Sequence, residues 1–248
     1  MIVKRNAAEV DKIKKAGRIV AEVLQILEKE VRPGVTTQDL DRIAEENIRK
    51  AGAEPAFKGY QGYPSSICVS INEEVVHGIP SERTLKEADI VGIDIGVRMK
   101  GYYADSTKTF PVGAISDEAK RLVKATQKAL YAGIEKCRPG NRLSDISHAI
   151  QRSAESNGFS VVRKYVGHGI GRMMHEDPQI PNYGSPDQGP ELEAGMVFAV
   201  EPMLNAGGFD VEVLKDNWTV VTSDRSLSAH FEHTVVLTES DPLIVTRL

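Results

Sequence analysis

The fold is decided by a tripeptide that occurs twice: Arg32-Pro33-Gly34 and, 106 residues later, Arg138-Pro139-Gly140. Each copy follows an amphipathic helical pattern and should end it, because proline and glycine do not continue a helix. Further residues recur at the same offset, namely Asp39 with Asp145 and Gly52 with Gly158. We interpret these matches as an internal duplication, with repeats over about residues 9–113 and 115–240.

Each repeat begins with two helical patterns. In the first repeat we expect a helix over residues 9–31 and another from Thr37, as its N-cap, to Gly52. In the second repeat, Ser116 should cap a helix that runs to the second tripeptide, and a further helix should end at Gly158.

Strand-like sequence, rich in Val, Ile, Phe and Thr, follows each pair of helices. The predicted strands cover residues 67–71, 90–97 and 102–112 in the first repeat and 195–204, 211–221 and 230–238 in the second. Two helices followed by antiparallel strands, twice over, predict an α+β fold with the sheets on one side. Because no Ser/Gly-rich linker divides the halves, we expect residues 1–248 to form a single catalytic domain with pseudo-twofold symmetry.

Composition excludes several classes of protein. A net charge of −4 with 27% charged residues gives no basic surface for DNA. No uncharged apolar run approaches the roughly 18 residues of a membrane span. Two cysteines cannot form a disulfide framework and favour a reducing compartment, so we expect a cytoplasmic protein. The chain also lacks a phosphate-binding loop and a serine-hydrolase elbow.

Two aspartates interrupt strands that should be apolar. Asp94 lies within residues 90–97, and Asp105 lies eleven residues further on, beyond the turn-like Lys100-Gly101. A turn centred on residues 99–100 would place the two directly opposite, and a turn one residue later would make them diagonal neighbours on the same face. Like charges so close need a cation or a proton between them. The alternative is a hairpin end exposed to water.

Three residues of the second half extend this acidic group. Glu201 ends a buried-strand run 107 residues after Asp94, and Glu232 lies in another strand-like stretch. His168, between two glycines, adds a nitrogen ligand. Four carboxylates and one imidazole, without thiolate, suit two divalent ions such as Mn, Fe(II), Co or Zn. Two such ions activate a water between them, and the chemistry indicated is hydrolysis.

Taken together, these residues resemble the methionine aminopeptidases of the bacterial type I. The resemblance spans the whole chain and rests on the following matches: Ser70-Ile71-Asn72-Glu73, Val76-His77-Gly78-Ile79-Pro80, Ile93-Asp94-Ile95-Gly96, Asp105-Ser106-Thr107, residues 165–171, His175-Glu176-Asp177-Pro178, Glu201-Pro202 and residues 230–234. It implies a pita-bread fold and removal of the initiator methionine from nascent proteins and peptides with a small second residue.

The resemblance also implies a role for each matching residue. One metal would be held by Asp94, Asp105 and Glu232, and the other by Asp105, His168, Glu201 and Glu232. The catalytic residues implied are Glu201, as the proton shuttle, His77 near the scissile amide, and His175 at the oxyanion. The residues implied for binding the methionine side chain are Phe57, Tyr60, Tyr63, Cys68, Met174 and Trp218.

Two rival functions share this fold. Proline-specific aminopeptidases and dipeptidases resemble it but usually carry an additional N-terminal domain, and metal-free binding proteins resemble it after loss of ligands. We expect nascent polypeptides as partners and a monomer. The ribosome is a candidate partner through Lys12, Lys14, Lys15 and Arg18 of the first helix, although such charges are usually a solvated face.

Overall fold

A computed structural model describes residues 2–248 of the chain. Its helices are α1 (Ala7–Glu30), α2 (Thr37–Lys50), α3 (Asp117–Ile134) and α4 (Leu143–Ser156), with a short 3-10 helix at Tyr60–Gly62.

The strands of the first half are β1 (Glu54–Pro55), β2 (Ile67–Ile71), β3 (Glu74–Val76), β4 (Ile90–Met99) and β5 (Tyr102–Pro111). Those of the second half are β6 (Ser160–Val161), β7 (Gly167–Gly169), β8 (Glu176–Ile180), β9 (Val197–Val200), β10 (Met203–Asn205), β11 (Val211–Val213), β12 (Val220–Thr222), β13 (Ser228–His230), β14 (His233–Val236) and β15 (Leu243–Ile244).

Side-chain caps explain where the helices begin. Asn6 caps α1 and forms a reciprocal capping box with Glu9. The Oγ1 of Thr36 accepts the backbone N–H of Asp39 at 3.0 Å, so the prediction of Thr37 as the cap of α2 is wrong by one residue. Ser116 caps α3 as predicted.

The second tripeptide lies beyond the end of its helix. Helix α3 ends at Ile134, not at Arg138, and the N–H of Cys137 donates to Ile134 O in a tighter turn. Proline disfavours helical geometry in the residue before it, so the chain leaves the helix ahead of Pro139.

The glycines that match between the halves share one backbone conformation. Gly34 and Gly140 have φ of 90° and 87°, and Gly52 and Gly158 have φ of 74° and 81°. Glycine is the residue that takes this left-handed geometry without strain. The agreement of helices and turns supports the proposed duplication within one domain.

Two main sheets carry the fold. In the first half β4 pairs with β1, β2 and β5, and helices α1 and α2 share a hydrophobic core with this sheet. In the second half the order is β15-β14-β9-β7-β8, and α3 and α4 contribute to a second core. Two smaller sheets, β13-β10-β6 and β11-β12-β3, complete the structure. The prediction of an α+β fold is confirmed.

The predicted strands of the second half are each broken in two. Residues 195–204 form β9 and β10 with a gap at Glu201-Pro202, and residues 230–238 are interrupted at Phe231-Glu232. Pro202 has no N–H for a ladder, and the chain moves there from one sheet to another. Residues 211–221 form the hairpin β11–β12, not one strand.

Within residues 2–248, no helix is both long and apolar enough to cross a membrane. Cys68 and Cys137 are both buried free thiols.

Candidate metal centre and active site

The β4–β5 hairpin places Asp94 and Asp105 on one face. Its turn lies at Lys100-Gly101, both with positive φ, and Asp105 pairs with Gly96 while Asp94 pairs with Thr107. The aspartates are therefore diagonal neighbours, the second of the two registers considered. Asp105 is buried, and Asp94 is half-buried with its Oδ1 shielded from solvent, so the exposed hairpin end is excluded.

The paired segments β9–β10 and β13–β14 contribute Glu201 and Glu232 from the gap in their ladder. Strand β9 pairs with β14 and β10 pairs with β13 in one continuous register, with Val200 opposite His233 and Met203 opposite His230. Glu201 and Glu232 consequently face each other where the ladder opens. Their side chains are free of the alternation of a regular strand and can converge on the first hairpin.

His168 reaches this group because glycines flank it. A Cβ on Gly167 would lie 2.5 Å from Ala199 O, so a larger residue would separate β7 from β9. The Nδ1 of His168 lies 2.9 Å from Gly169 O, which holds the ring with its proton on Nδ1. The free Nε2 then lies 3.3 Å from Glu201 Oε1 and 3.6 Å from Asp105 Oδ2.

Threonine hydroxyls orient two of the carboxylates. Thr234 Oγ1 lies 2.9 Å from Asp105 Oδ1 and also accepts the N–H of Asp105 at 3.0 Å. Thr107 Oγ1 donates to Glu232 Oε2 at 2.9 Å. Such partners fix the direction of a ligating oxygen and are typical of metal sites.

The electrostatics of this group call for a cation. Burial and the neighbouring Asp105 raise the pKa of Asp94 to about 8, and burial raises the pKa of Asp105 to about 7. Burial, with the nearby aspartates, raises the pKa of Glu201 and of Glu232 well above the ordinary value. Four carboxylates that resist ionisation together are stabilised as anions when a metal lies between them.

The donor set fits divalent ions that prefer oxygen and imidazole. The Oδ1 of Asp94 is buried without a hydrogen-bond partner, which leaves it available as a ligand. Ligand atoms of Asp105, His168 and Glu232 lie within 4.8 Å of one another. The nearby Cys68 is not part of this converging group.

A cavity of about 300 Å³ opens onto this carboxylate–histidine group. It brings together all the residues predicted for the site. Besides the five metal-ligand candidates, its lining contains His77, His175, Phe57, Tyr60, Tyr63, Cys68, Met174 and Trp218. The aromatic wall is ordered, because the rings of Tyr63 and Trp218 meet edge to face at 5.0 Å.

Two histidines border the cavity as neutral side chains. Burial lowers the pKa of His77 to about 4, and the same cause, with His168, lowers the pKa of His175 to about 4. The Nδ1 of His175 lies 2.8 Å from the hydroxyl of Tyr60. His77 has a φ of 61°, an unusual conformation of the kind found at functional sites.

Sequence reasoning missed several residues of the site. Gln61 lines the cavity, and Thr107 and Thr234 orient ligands. His230 is buried with its Nε2 unpartnered, 3.8 Å from Glu201 Oε2. Thr107, Thr234 and His230 are polar residues that interrupt an apolar pattern close to a candidate carboxylate. This position in the sequence could have indicated them.

Comparisons with known proteins agree with this geometry. The profile of metallopeptidase family M24 matches residues 11–239. Methionine aminopeptidase 1 of Bacillus subtilis is 54% identical over 248 residues, covering 100% of both chains. The crystal structure of methionine aminopeptidase from Thermotoga maritima superimposes with a TM-score of 0.99 at 47% identity, again over 100% of both chains.

A more distant structure shares the fold alone. The prolidase from Pyrococcus furiosus has a TM-score of 0.80 at 21% identity, and this chain covers 66% of that longer one. The prediction of a pita-bread fold is confirmed by the family and by these structures. The chain belongs to metallopeptidase family M24 and, within it, to the methionine aminopeptidases.

Proposed function

We propose that this enzyme hydrolyses the N-terminal methionine from peptides and nascent proteins whose second residue is small. The observation that carries the proposal is a cavity whose aromatic and sulfur-bearing wall opens directly onto the carboxylate–histidine group. An unbranched thioether contacts aromatic edges and polarisable sulfur favourably. The wall thus selects the side chain, and the charged end of the cavity carries the reaction.

The ligand geometry supports two divalent ions. Asp94, Asp105 and Glu232 would hold one, and Asp105, His168, Glu201 and Glu232 would hold the other. Both carboxylates shared between the sets are oriented by threonine hydroxyls. When bound, the ions lower the pKa of the attacking water and draw charge from the scissile carbonyl. Mn, Fe(II), Co and Zn all suit such ligands.

The protein's own groups move the proton and stabilise the developing charge. Glu201, which faces the cavity from the gap between β9 and β10, accepts the proton of the water and delivers it to the leaving amine. With the Tyr60 hydroxyl, 2.8 Å away, as the donor to Nδ1 of His175, the imidazole would carry its proton on Nε2 and could donate it to the oxyanion. His77 donates near the scissile amide.

Besides the methionine side chain, the second residue and the free N-terminal amine of the peptide should determine which substrates are cleaved. The scissile amide must lie between His77 and His175, which leaves little room for a bulky second side chain. We therefore expect Met-Ala and Met-Gly peptides to be cleaved and Met-Lys or Met-Ile peptides to be poor substrates. Formyl-methionyl peptides should resist, because the free amine that the charged end of the cavity binds is lost.

One assay panel tests the function. Release of the first residue is measured as kcat/KM for Met-Ala-Ser, Met-Lys-Ser and Ala-Pro-Ser with the metal-loaded enzyme. The proposal requires Met-Ala-Ser to be fastest. Faster cleavage of Ala-Pro-Ser would assign the chain to the proline-specific peptidases, and absence of all cleavage with bound peptide would favour a binding protein.

Nascent chains at the ribosome in the cytoplasm are the proposed source of substrate. The candidate docking surface is the basic face of α1, on which Lys14 lies 3.9 Å from Asp11 and Arg18 lies 2.8 Å from Glu22. Lys15 on the same face has no ion pair among the described residues. Co-sedimentation with ribosomes, compared between the wild type and Lys15→Glu, tests the docking, and gel filtration tests the expected monomer.

A further inference from the structure

Arg5 lies outside the catalytic cavity, yet its side chain is only 5% exposed. Its guanidinium forms a close ion pair with Glu176, whose side chain is 8% exposed, and lies 3.8 Å from Glu9 Oε1. The backbone N–H of Arg5 donates to Gly195 O at 2.7 Å, which ties the segment before α1 to the second half of the molecule. Burial of a charged group costs free energy of desolvation, which its partners must offset.

The partner of Arg5 organises the loop between β7 and β8. Glu176 Oε1 accepts the backbone N–H of Arg172 at 2.7 Å and that of Met173 at 3.0 Å. The next two residues of this loop are Met174 and His175, and both line the catalytic cavity. The ion pair is therefore connected to the cavity through one short stretch of backbone.

Gly171, near the start of this loop, packs directly against the guanidinium of Arg5. A Cβ on Gly171 would lie 2.6 Å from the Nη2 of Arg5, so the backbone approaches the charge as closely as a glycine allows. Gly171 O accepts the N–H of Tyr103 at 2.8 Å, and the neighbouring Tyr102 hydroxyl donates to Glu9 at 2.9 Å. Strand β5 and the start of α1 thus hold the loop from both sides.

We propose that Arg5 is a positioning residue for the hydrolysis. By pairing with Glu176 it keeps the 171–175 loop in place, so that Met174 closes the methionine pocket and His175 stays aligned with the scissile carbonyl. The inference rests on the proposed function, since it concerns the same site. Displacement of a catalytic group by about 1 Å can reduce turnover on the order of 100-fold.

The test compares Arg5→Ala with Lys4→Ala, both in the metal-loaded enzyme. Lys4 is its neighbour on the same segment and forms an exposed ion pair with Glu193 at 2.8 Å, so it is a matched control. We expect Arg5→Ala to lower kcat/KM for Met-Ala-Ser by roughly 10- to 100-fold, with higher KM, lower kcat and unchanged metal content. Lys4→Ala should stay within about twofold of the wild type, because exposed pairs contribute little.

A purely structural role would give a different result. Arg5→Ala would then show a lower Tm but wild-type kcat and KM per folded molecule at a temperature well below Tm, which would overturn the proposal. Should Arg5→Ala fail to fold, Gly171→Ala tests the same point, because its methyl group displaces the guanidinium while both charges remain. Arg5→Lys, which keeps the charge but not the paired donors, should fall between Arg5→Ala and the wild type.

If Arg5→Ala does not fold, wild-type kcat and KM in both Gly171→Ala and Arg5→Lys overturn the inference instead. The wild type is measured with Met-Ala-Ser in the same assay. An inactive, metal-loaded wild type would refute the proposed function itself. An active wild type with unaffected variants would refute only the role of Arg5.

Discussion

Replacement of Thr234 by valine removes one hydroxyl from the metal centre without changing the shape of the side chain. In the wild type this hydroxyl lies 2.9 Å from Asp105 Oδ1 and accepts the Asp105 N–H at 3.0 Å. Thr234→Val therefore leaves a buried N–H without its acceptor and frees a carboxylate that should be shared by both ions. The variant tests whether the orientation of Asp105 matters for metal binding.

The expected magnitudes follow from these two losses. A buried donor left unsatisfied costs about 1–3 kcal/mol, so the metal-free variant should unfold at lower urea concentration by that free energy. Loss of a partner that orients a ligand weakens metal affinity roughly 10- to 100-fold. That range corresponds to about 1.4–2.8 kcal/mol of binding free energy.

Calorimetric titration of Mn²⁺ into both metal-free proteins measures the affinity. Thr126→Val is the matched control, because Thr126 is equally buried and its hydroxyl donates to Leu122 O at 2.8 Å within α3, away from the centre. The control should lose some stability and keep the wild-type metal affinity. Equal affinity in Thr234→Val and the wild type would refute the role of the Thr234 hydroxyl in orienting Asp105 for metal binding.

Three further predictions concern the histidines and the carboxylates. His77→Ala should retain metal but lose kcat on the order of 10²–10³-fold, since it removes one transition-state donor, as steady-state kinetics with metal analysis would show. His230→Leu should lower kcat through Glu201, whereas His230→Gln, which keeps a donor near that carboxylate, should retain most of it in the same assay. Burial raises the pKa of Asp94 to about 8 and of Asp105 to about 7. Above about pH 7 the buried histidines are largely uncharged in both the folded and the unfolded states. The native metal-free state therefore holds more protons than the unfolded chain in that range, and its Tm should fall between about pH 7 and pH 8.

Each of these predictions has a contradicting outcome. Loss of metal in His77→Ala with normal turnover at each remaining site would assign this histidine to the metal instead of the substrate. Equal kcat for His230→Leu and the wild type would remove His230 from the site. A Tm that rises over that pH range in the chelated protein, or one whose slope persists unchanged with saturating Mn²⁺, would mean that the buried carboxylates do not control stability.

Local signals predicted the framework of the molecule. The recurrence of Arg-Pro-Gly, the helix periods and the apolar runs identified the helix pairs and the α+β class, and two acidic residues inside apolar strands indicated a cation site. The pairing of Asp94 and Asp105 was limited to two registers, because a turn at Lys100-Gly101 and one a residue earlier are equally compatible with the pattern. Only the left-handed conformation of both turn residues decides between them.

The sequence did not predict the features that depend on contacts between distant parts of the chain. An apolar run does not show where a chain passes from one sheet to another. The pattern therefore predicts continuous strands at Glu201 and Glu232, where the structure has gaps between strands. Hydroxyl partners such as Thr234 are 129 residues from their carboxylate in the chain. The ion pair of Arg5 with Glu176 spans 171 residues and has no local pattern at all. The roles of His77 and His175 came from the family resemblance and not from spacing.

The central claim is that the carboxylate–histidine group works only with divalent metal. The direct measurement is release of methionine from Met-Ala-Ser by enzyme stripped to zero measured metal, followed by stepwise addition of one divalent ion with metal content determined at each step. We predict no turnover at the start and a rise that parallels occupancy of up to two ions per chain. Full activity with verified absence of metal would contradict the account.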